Sequence, residues 1–434
     1  MMLTSIGNPQ MIRHFNEYLI LELLVQEPGL SRAEISRRTG LSKPTVSSAV
    51  YHLLHHRLVM ETGQATNQQG RKGQVLQFNP RVFHVLLLAI GADGIEIGIT
   101  DLLGNIRRIG WIAWAQLEDA ADAELQLQQR LQEIMAAHSS AAMPIRFVSA
   151  GIPAVVDPQT GYVQTWLPQL ERYGKLLSGT ELSRLLGVEV LLDNDVNLAA
   201  VAEQEYGNGA GASSFVYISL GEGVGMGIVI EGRIYRGLAG AAGEWGQAVL
   251  RLRQHHSGAG QAKHDIALYE QSTLSTLSAL STDDQRLEHY IGNAGLRELL
   301  HEALQHDVAP HTDHHTAAEW SVAQLLQAAQ ANHPLALHIM GRYAERLILP
   351  LAQLVALLAP ERIVLGGQIG QAAELFLPLV QEALPTLVPV MPQLSASMLD
   401  ERDESAIMRG AAWAGVQRSF RYIREQMLVI GGRE

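Results

Sequence analysis

Residues 30–48 read LSRAEISRRTGLSKPTVSS, and the punctuation in this stretch fixes the two helices it encodes. Ser31 followed three residues later by Glu34 is the pattern of a capping box, in which side chain and backbone satisfy each other's open amides. Gly40 supplies a left-handed C-cap. Ser42 then caps a second helix, with Pro44 in its first turn, where the missing amide costs nothing. In that second helix Val46, Ala49, Val50, Leu53 and Leu54 share one face, leaving Lys43, Thr45, Ser47 and Ser48 on the other.

Working outward, residues 12–26 (IRHFNEYLILELLVQ) carry apolar residues at helical spacing and are stopped by Pro28-Gly29. Residues 58–79 (LVMETGQATNQQGRKGQVLQFN) predict a strand, a polar tip and a second strand, with Gly70-Arg71-Lys72-Gly73 at or near the tip. Helices and a thin basic wing in this order make a winged helix-turn-helix, which lays its second helix in the DNA major groove. The candidate DNA-facing residues are Ser31, Arg32, Ser42, Lys43, Thr45, Ser47 and Ser48 on the helices, and Arg71 and Lys72 on the wing. Hydroxyls serve both phosphates and base edges, and wing cations grip a minor groove or the backbone. The alternative reading is a helical interaction domain that never touches DNA.

Charge follows the same division. Residues 1–80 hold eight Lys and Arg against five Asp and Glu, whereas the remainder holds 24 against 39, within a net charge of −12. A small basic module on an acidic body suits a protein that meets phosphates locally. The 434 residues contain no cysteine, which excludes disulfides and thiolate metal sites. No signal-peptide core and no run of 18 apolar residues is present, so the expected location is the cytoplasm, with no membrane partner.

From about residue 82 the pattern changes to alternating strands and helices, predicting an α/β fold. Residues 85–114 read as consecutive strands with a hairpin at Leu103-Gly104-Asn105, followed by a helix over 119–138 and a strand over 146–157. A helix at 179–187, a strand at 188–195 and a helix at 196–206 precede a strand-turn-strand over 213–235. Residues 262–358 read as mostly helical, and PERIVLGGQIG (360–370) as a late strand and turn. Gly-rich turns at 91–94 and 221–227 lie in different halves and point to two related lobes.

The stretch from Leu30 through Ser47, followed by Gly70-Arg71, resembles the N-terminal domain of ROK-family repressors (repressor, open reading frame, kinase), of the xylose-repressor and N-acetylglucosamine-repressor type. The resemblance continues over Gly151-Ile152-Pro153 with Asp157, then Asp193-Asn194-Asp195-Val196-Asn197-Leu198-Ala199-Ala200. It extends over GLAGAAGEWG (237–246), Pro360 to Gly367, and Gly410-Ala411-Ala412. It implies a two-lobed ASKHA (actin/hexokinase-like) sugar-kinase-type domain over residues 81–434, behind a winged helix-turn-helix over 1–80. It further implies a sugar effector bound between the lobes.

The implied sugar-binding residues are Asn194, Asp195, Glu244, Gln247 and Glu270. A sugar needs carboxylates and amides facing adjacent hydroxyls on rigid turns, and these residue types supply them. Asn194 and Asp195 also stand where a helix N-cap would. In kinase relatives the residue matching Asp195 is the general base.

Departures from the family pattern are equally informative. Where kinases of the family carry an Asp-x-Gly-Gly-Thr type turn for Mg-ATP, this chain has Ala89 and Asp93. Where they prefer Gly-Thr-Gly, it has Gly221-Glu222-Gly223. Carboxylates aimed at phosphates are unfavourable, so no catalytic residue and no ATP are expected. The family's zinc His is replaced by Gln247 and its cysteines are gone, so no zinc is expected. His255, His256 and His264, like His311, His314 and His315, read as loop histidines.

The expectation is therefore a sugar-responsive, DNA-binding regulator, a repressor of carbohydrate-utilisation genes, that binds operator DNA as a homodimer or higher even oligomer. The alternatives are an ATP-dependent sugar kinase with an attached DNA-binding domain, a regulator that senses a protein partner, and a constitutive repressor.

Overall fold

In the computed structural model Ser31 and Glu34 close the reciprocal capping box: the Ser31 hydroxyl accepts from the Glu34 amide at 3.3 Å, and the Glu34 carboxylate accepts from the Ser31 amide at 2.8 Å. The structure describes residues 9–64, 74–117, 122–164, 167–173, 175–249, 252–254, 264–266, 286–305, 317–399 and 405–430. Helix α1 (Pro9–Gln26), strand β1 (Leu30–Ser31), α2 (Arg32–Thr39) and α3 (Lys43–His55) follow the order the capping residues dictate. Gly40 sits at φ 72°, a left-handed C-cap, and Ser42 accepts from the Thr45 amide to open α3. Val46, Ala49, Val50 and Leu53 are buried as their spacing requires, while Leu54 is half-buried. Strands β2 (Val59–Gln64) and β3 (Gln74–Phe78) pair antiparallel as the wing, and β1 joins β3 to complete a three-stranded sheet.

The chain divides into two compact units. The first comprises residues 1–150, 175–191 and 411–434, so the winged helix shares a unit with the strands that follow it. Those strands are β4 (His84–Ile90), β5 (Gly94–Thr100), β6 (Ile106–Ala113), β7 (Ile145–Ile152) and β10 (Glu189–Asn194), in the order β10-β7-β4-β5-β6. Their apolar residues build the core of this unit, Val85 to Leu87 being fully buried. Helix α4 (Ala123–His138) buries Leu127 and Leu131. The helix Ala406–Ile430 contributes Phe420, 5.6 Å from Phe78 between ring centres, and Arg418, whose guanidinium holds both oxygens of Glu189 at 2.8 Å.

The second unit, residues 151–174 and 192–410, is built on β11 (Phe215–Leu220), β12 (Val224–Ile230), β13 (Arg233–Ile234), β16 (Arg362–Gly366) and β17 (Gln393–Ala396), in the order β13-β12-β11-β16-β17. Its β16 runs parallel to β11 and to β17. The two five-stranded sheets share one pattern. Three consecutive strands lie third, second, first, and two later strands add beside the first. Each Gly-rich turn joins the first strand of its sheet to the second, 91–93 in one and 221–223 in the other, as two related lobes require. Helices 287–291, 293–305, 322–330 and 334–358 form the apolar cluster on the second sheet. Short β8 (Val155–Val156) and β9 (Val163–Gln164) make a hairpin.

The mostly helical stretch 262–358 also contains one strand. Residues 264–266 are not helical: β15 (His264–Ile266) pairs antiparallel with β14 (Leu252–Gln254). Pairing with a strand ten or more residues away is a tertiary effect that local spacing does not report.

Candidate functional site

Two surfaces carry the chemistry anticipated above. On the winged helix, Ser42, Lys43, Ser47 and Ser48 are exposed on α3 and Thr45 is half-buried, its hydroxyl 2.7 Å from that of Ser42. Tyr51, 67% exposed, extends the face by one turn beyond Ser47. The same i, i+4 spacing that grouped the serines identifies it, and the sequence reading passed over it. Arg32 pairs with Glu61 at 3.1 Å. Ser31 needs a correction. It is 8% exposed and its hydroxyl both accepts from the Glu34 amide and donates to the Glu34 carboxylate, so it serves the start of α2 rather than the outer surface. Arg71 and Lys72 lie outside the described residues.

The second surface lies wholly within the second unit. β10 ends at Asn194, whose side-chain oxygen caps the next helix (Asp195–Tyr206) by accepting from the amides of Val196 and Asn197 at 3.0 and 3.1 Å. Its amide nitrogen donates to the carbonyl of Ala154 at 3.1 Å, pinning the chain after β7 to the helix start. Capping was one of the two roles the sequence allowed, and it uses the acceptor end of this side chain.

Asp195, the first residue of that helix, accepts from the Val196 amide at 2.8 Å. Burial pushes its carboxyl up to about 6, and the negative charge of Glu244 adds to the rise, while hydrogen bonds from the backbone oppose it. Glu244 is raised for the same first reason, burial, with Glu288 as the second. The charge of Glu244 thus acts on Asp195, and each carboxylate can accept hydrogen bonds from a neutral ligand's hydroxyls. Asp195 borders a cavity of about 210 Å3 with Tyr217, Ser219 and Gly367, whose lining does not include Glu244.

Glu244 is carried by the loop 237–246, and its glycines explain how. Gly243 sits at φ +94°, where an added Cβ would stand 1.9 Å from the Met226 carbonyl. Gly240, at φ +85°, would meet the Val156 carbonyl at 2.0 Å. Only glycine fits either place. Asp193 and Arg236 form an ion pair at the base of this loop, and Asp193 also accepts from the Asn194 amide at 2.9 Å.

Gln247 is engaged on both ends. Its oxygen accepts from Arg286 at 2.6 Å and its nitrogen donates to Glu288 at 3.3 Å. Glu288 is the site residue the sequence reading missed. It sits on a five-residue helix (Leu287–Ile291) with no motif around it, and it reaches the site through a contact 41 residues away in sequence. Glu270, His255 and His256 lie outside the described residues, as do His311, His314 and His315; of His264 only the backbone is described. Asp157 builds the β8–β9 turn by accepting from the Gln159 amide at 2.8 Å, which holds its carboxyl below the usual range.

Each Gly-rich turn is hydrogen-bonded to another part of its own unit. In the first unit the Trp114 indole donates to the Gly91 carbonyl at 2.9 Å, and Ala89 is buried within β4. In the second, Glu222 accepts from Asn293 at 2.9 Å and Arg297 at 3.0 Å, and the Asn293 amide donates to the Gly221 carbonyl at 2.8 Å. Among the described residues no cluster of three His, Cys, Asp or Glu is arranged to hold a metal ion, and no helix is long and apolar enough to cross a membrane.

Two sequence profiles match this chain. The sequence profile described as ROK family matches residues 86–417, and that of a winged helix-turn-helix DNA-binding domain matches residues 16–52. A putative xylose repressor of Caldicellulosiruptor sp. (strain Rt8B.4) is 26% identical over 375 residues, covering 86% of this chain and 87% of that protein. Among solved structures, a ROK family transcriptional regulator described as a homolog of the E. coli MLC protein superposes with a TM-score of 0.69 at 21% identity, covering 97% of this chain and 98% of the other. A ROK family glucokinase from Streptomyces griseus, in complex with glucose and AMPPNP, gives 0.56 at 20% identity over 77% of this chain and 99% of its own. At these identities the two structures speak to fold, which is a winged helix-turn-helix with a sugar-kinase-like body.

Proposed function

Because the chain belongs to the ROK family, we propose that it is a sugar-responsive, DNA-binding transcriptional regulator, a repressor of carbohydrate-utilisation genes. Its winged helix-turn-helix (residues 1–80) binds operator DNA and the remainder (81–434) senses a neutral sugar. The observation that carries the reading is that Asp195, next to Asn194, and Glu244 are both raised by burial and that the charge of Glu244 acts on Asp195, in a chain that also exposes a hydroxyl-rich helix face. Vicinal sugar hydroxyls donate to the two carboxylates. The free hydrogen on the Asn194 amide and the Gln247 side chain complete the donor set, and Glu288 holds Gln247 in place. Glu270 is proposed as a further sugar contact.

The chain binds ligand without transferring phosphate. Glu222 engages Asn293 and Arg297 of the helix 293–305, and the first turn carries Ala89 and Asp93. A base at Asp195 without a bound phosphate donor has nothing to transfer. No zinc or nucleotide is required in this reading. The protein works in the cytoplasm and as a homodimer or higher even oligomer, since two recognition helices read two half-sites.

Calorimetric titration of the purified protein with a panel of neutral hexoses, pentoses and N-acetylhexosamines tests the sensor assignment. One sugar class should bind, and Glu244→Gln should weaken it by about tenfold or more, the worth of a charge-assisted hydrogen bond. Binding of no sugar, or equal binding by Glu244→Gln, would remove the assignment.

A further inference from the structure

Helix α3 carries one line of exposed side chains along its whole length. Lys43, Ser47, Tyr51 and His55 stand four residues apart, so they share a face for about 18 Å, and all four are exposed. The opposite face is given to the core, with Val46, Ala49, Val50 and Leu53 buried. The part of the line from Lys43 to Tyr51 falls inside the residues that match the winged helix-turn-helix profile.

The side chains on this face differ in how much base sequence they can distinguish. A lysine meets phosphate as a point charge, which fixes position and carries no sequence information. A serine hydroxyl both donates and accepts, so Ser47 and Ser48 can bond to more than one base edge. Beyond the first turn, where Pro44 and Thr45 lie, Tyr51 is the one exposed residue of α3 with a hydrocarbon ring. In the major groove the apolar feature of a base pair is the C5 methyl of thymine. A ring on the outer face of α3 therefore has one complementary partner there.

The Tyr51 ring is also steadied from behind. It stands edge-on to the His52 ring, with centres 5.6 Å apart and planes at 86°. His52 in turn has the Arg13 guanidinium of α1 within 3.0 and 2.8 Å of its two ring nitrogens. A tyrosine has few rotamers to lose, so holding it against a base costs little order.

We propose that Tyr51 is the specificity-determining residue of α3, which packs its ring on a thymine methyl in the major groove. The inference rests on the DNA-binding reading above and adds a required feature to the operator: a thymine opposite the third turn of α3. Lys43 and the serines hold the helix in place around that contact.

Duplexes enriched from a random-sequence pool by the full-length protein supply the probe. Uracil then replaces thymine one position at a time, which removes the methyl group and leaves every hydrogen-bonding group of the base. In anisotropy titrations at one salt concentration, the parent should lose about fourfold in affinity at one thymine position, the worth of one buried methyl group. Tyr51→Phe should keep that loss. Tyr51→Ala, with Tyr51→Gln as a second ring-free variant, should bind the thymine and uracil duplexes alike at that position. Both replacements favour a helix at an exposed place, so their circular dichroism should match the parent's. Lys43→Ala should bind all duplexes more weakly yet keep the fourfold ratio. An enriched sequence in which no thymine is sensitive to loss of its methyl would overturn the proposal and leave DNA binding standing. So would sensitivity that the ring-free variants keep at every position. Enrichment of no sequence would instead remove the DNA-binding reading, and this proposal with it.

Discussion

Replacing Asp195 by Asn should make the protein more stable and at the same time blunt its response to sugar. The reasoning starts from the carboxyl's rise from 3.8 to about 6. An acid whose folded-state pKa lies above its unfolded value holds its proton more tightly when folded, so stability falls as pH climbs from 3.8 through about 6 and stays lowered above it. The full penalty at neutral pH is about 3 kcal/mol, at 1.36 kcal/mol per pH unit. Asparagine keeps an oxygen to accept from the Val196 amide and carries no charge to desolvate. Asp195→Asn should therefore raise the apo protein's unfolding free energy at pH 7.5 by up to that amount and leave it nearly unchanged at pH 4. Sugar affinity should move the other way. About nine tenths of Asp195 is ionised at pH 7 and about one tenth at pH 5, so a ligand that needs the ionised form binds about tenfold more weakly at the lower pH. Glu244, raised in the same direction, steepens the fall. Urea unfolding at the two pH values and calorimetric sugar titrations read both quantities. An Asp195→Asn protein less stable than the parent at pH 7.5, or a sugar affinity flat between pH 5 and 7, would refute the reasoning.

Further outcomes follow from other residues. Gly243→Ala places a Cβ 1.9 Å from the Met226 carbonyl at a φ of +94°; it should cost more than about 1 kcal/mol and abolish sugar binding, while the operator affinity of protein that remains folded is retained. Ser31→Ala should lower stability by about 1 kcal/mol through loss of the cap and leave DNA affinity unchanged below the melting temperature, whereas Lys43→Ala should weaken DNA binding uniformly across sequences and reduce the salt dependence by about one phosphate contact. A coupled ADP-release assay across the sugar panel should find no turnover for the parent or for Glu222→Thr, because Ala89 and Asp93 remain in the first turn; sugar-dependent ADP release by either protein would contradict the non-kinase reading.

What could be read from the residues alone was what local chemistry encodes. The capping box at Ser31 and Glu34, the left-handed Gly40 and the Ser42 cap are decided within four or five residues, and α2 starts and ends, and α3 starts, where they place it. That same box hid the fate of Ser31: its hydroxyl is buried against Glu34, whereas the capping hydroxyl of Ser42 stays exposed. The two related sheets were legible from their Gly-rich turns, since a tight turn between two apolar strands leaves few alternatives. The carboxylates of the second unit were identifiable by resemblance, but their mutual repulsion was not, because it arises where the 237–246 loop folds back on the end of β10. Glu288 and the Arg286 bond to Gln247 left no trace in local pattern, since they depend on a contact between segments 39 and 41 residues apart. The β14–β15 pair escaped for the same reason.

The central claim is that one chain reads operator DNA and a sugar, with each affecting the other. Fluorescence anisotropy of the full-length protein on labelled DNA from its own upstream region, with and without the sugar panel, tests it most directly. The account predicts tight, salt-sensitive binding that one sugar class weakens, with the effect lost in Glu244→Gln. Specific DNA binding that no sugar alters, or no specific binding to that DNA, would contradict it.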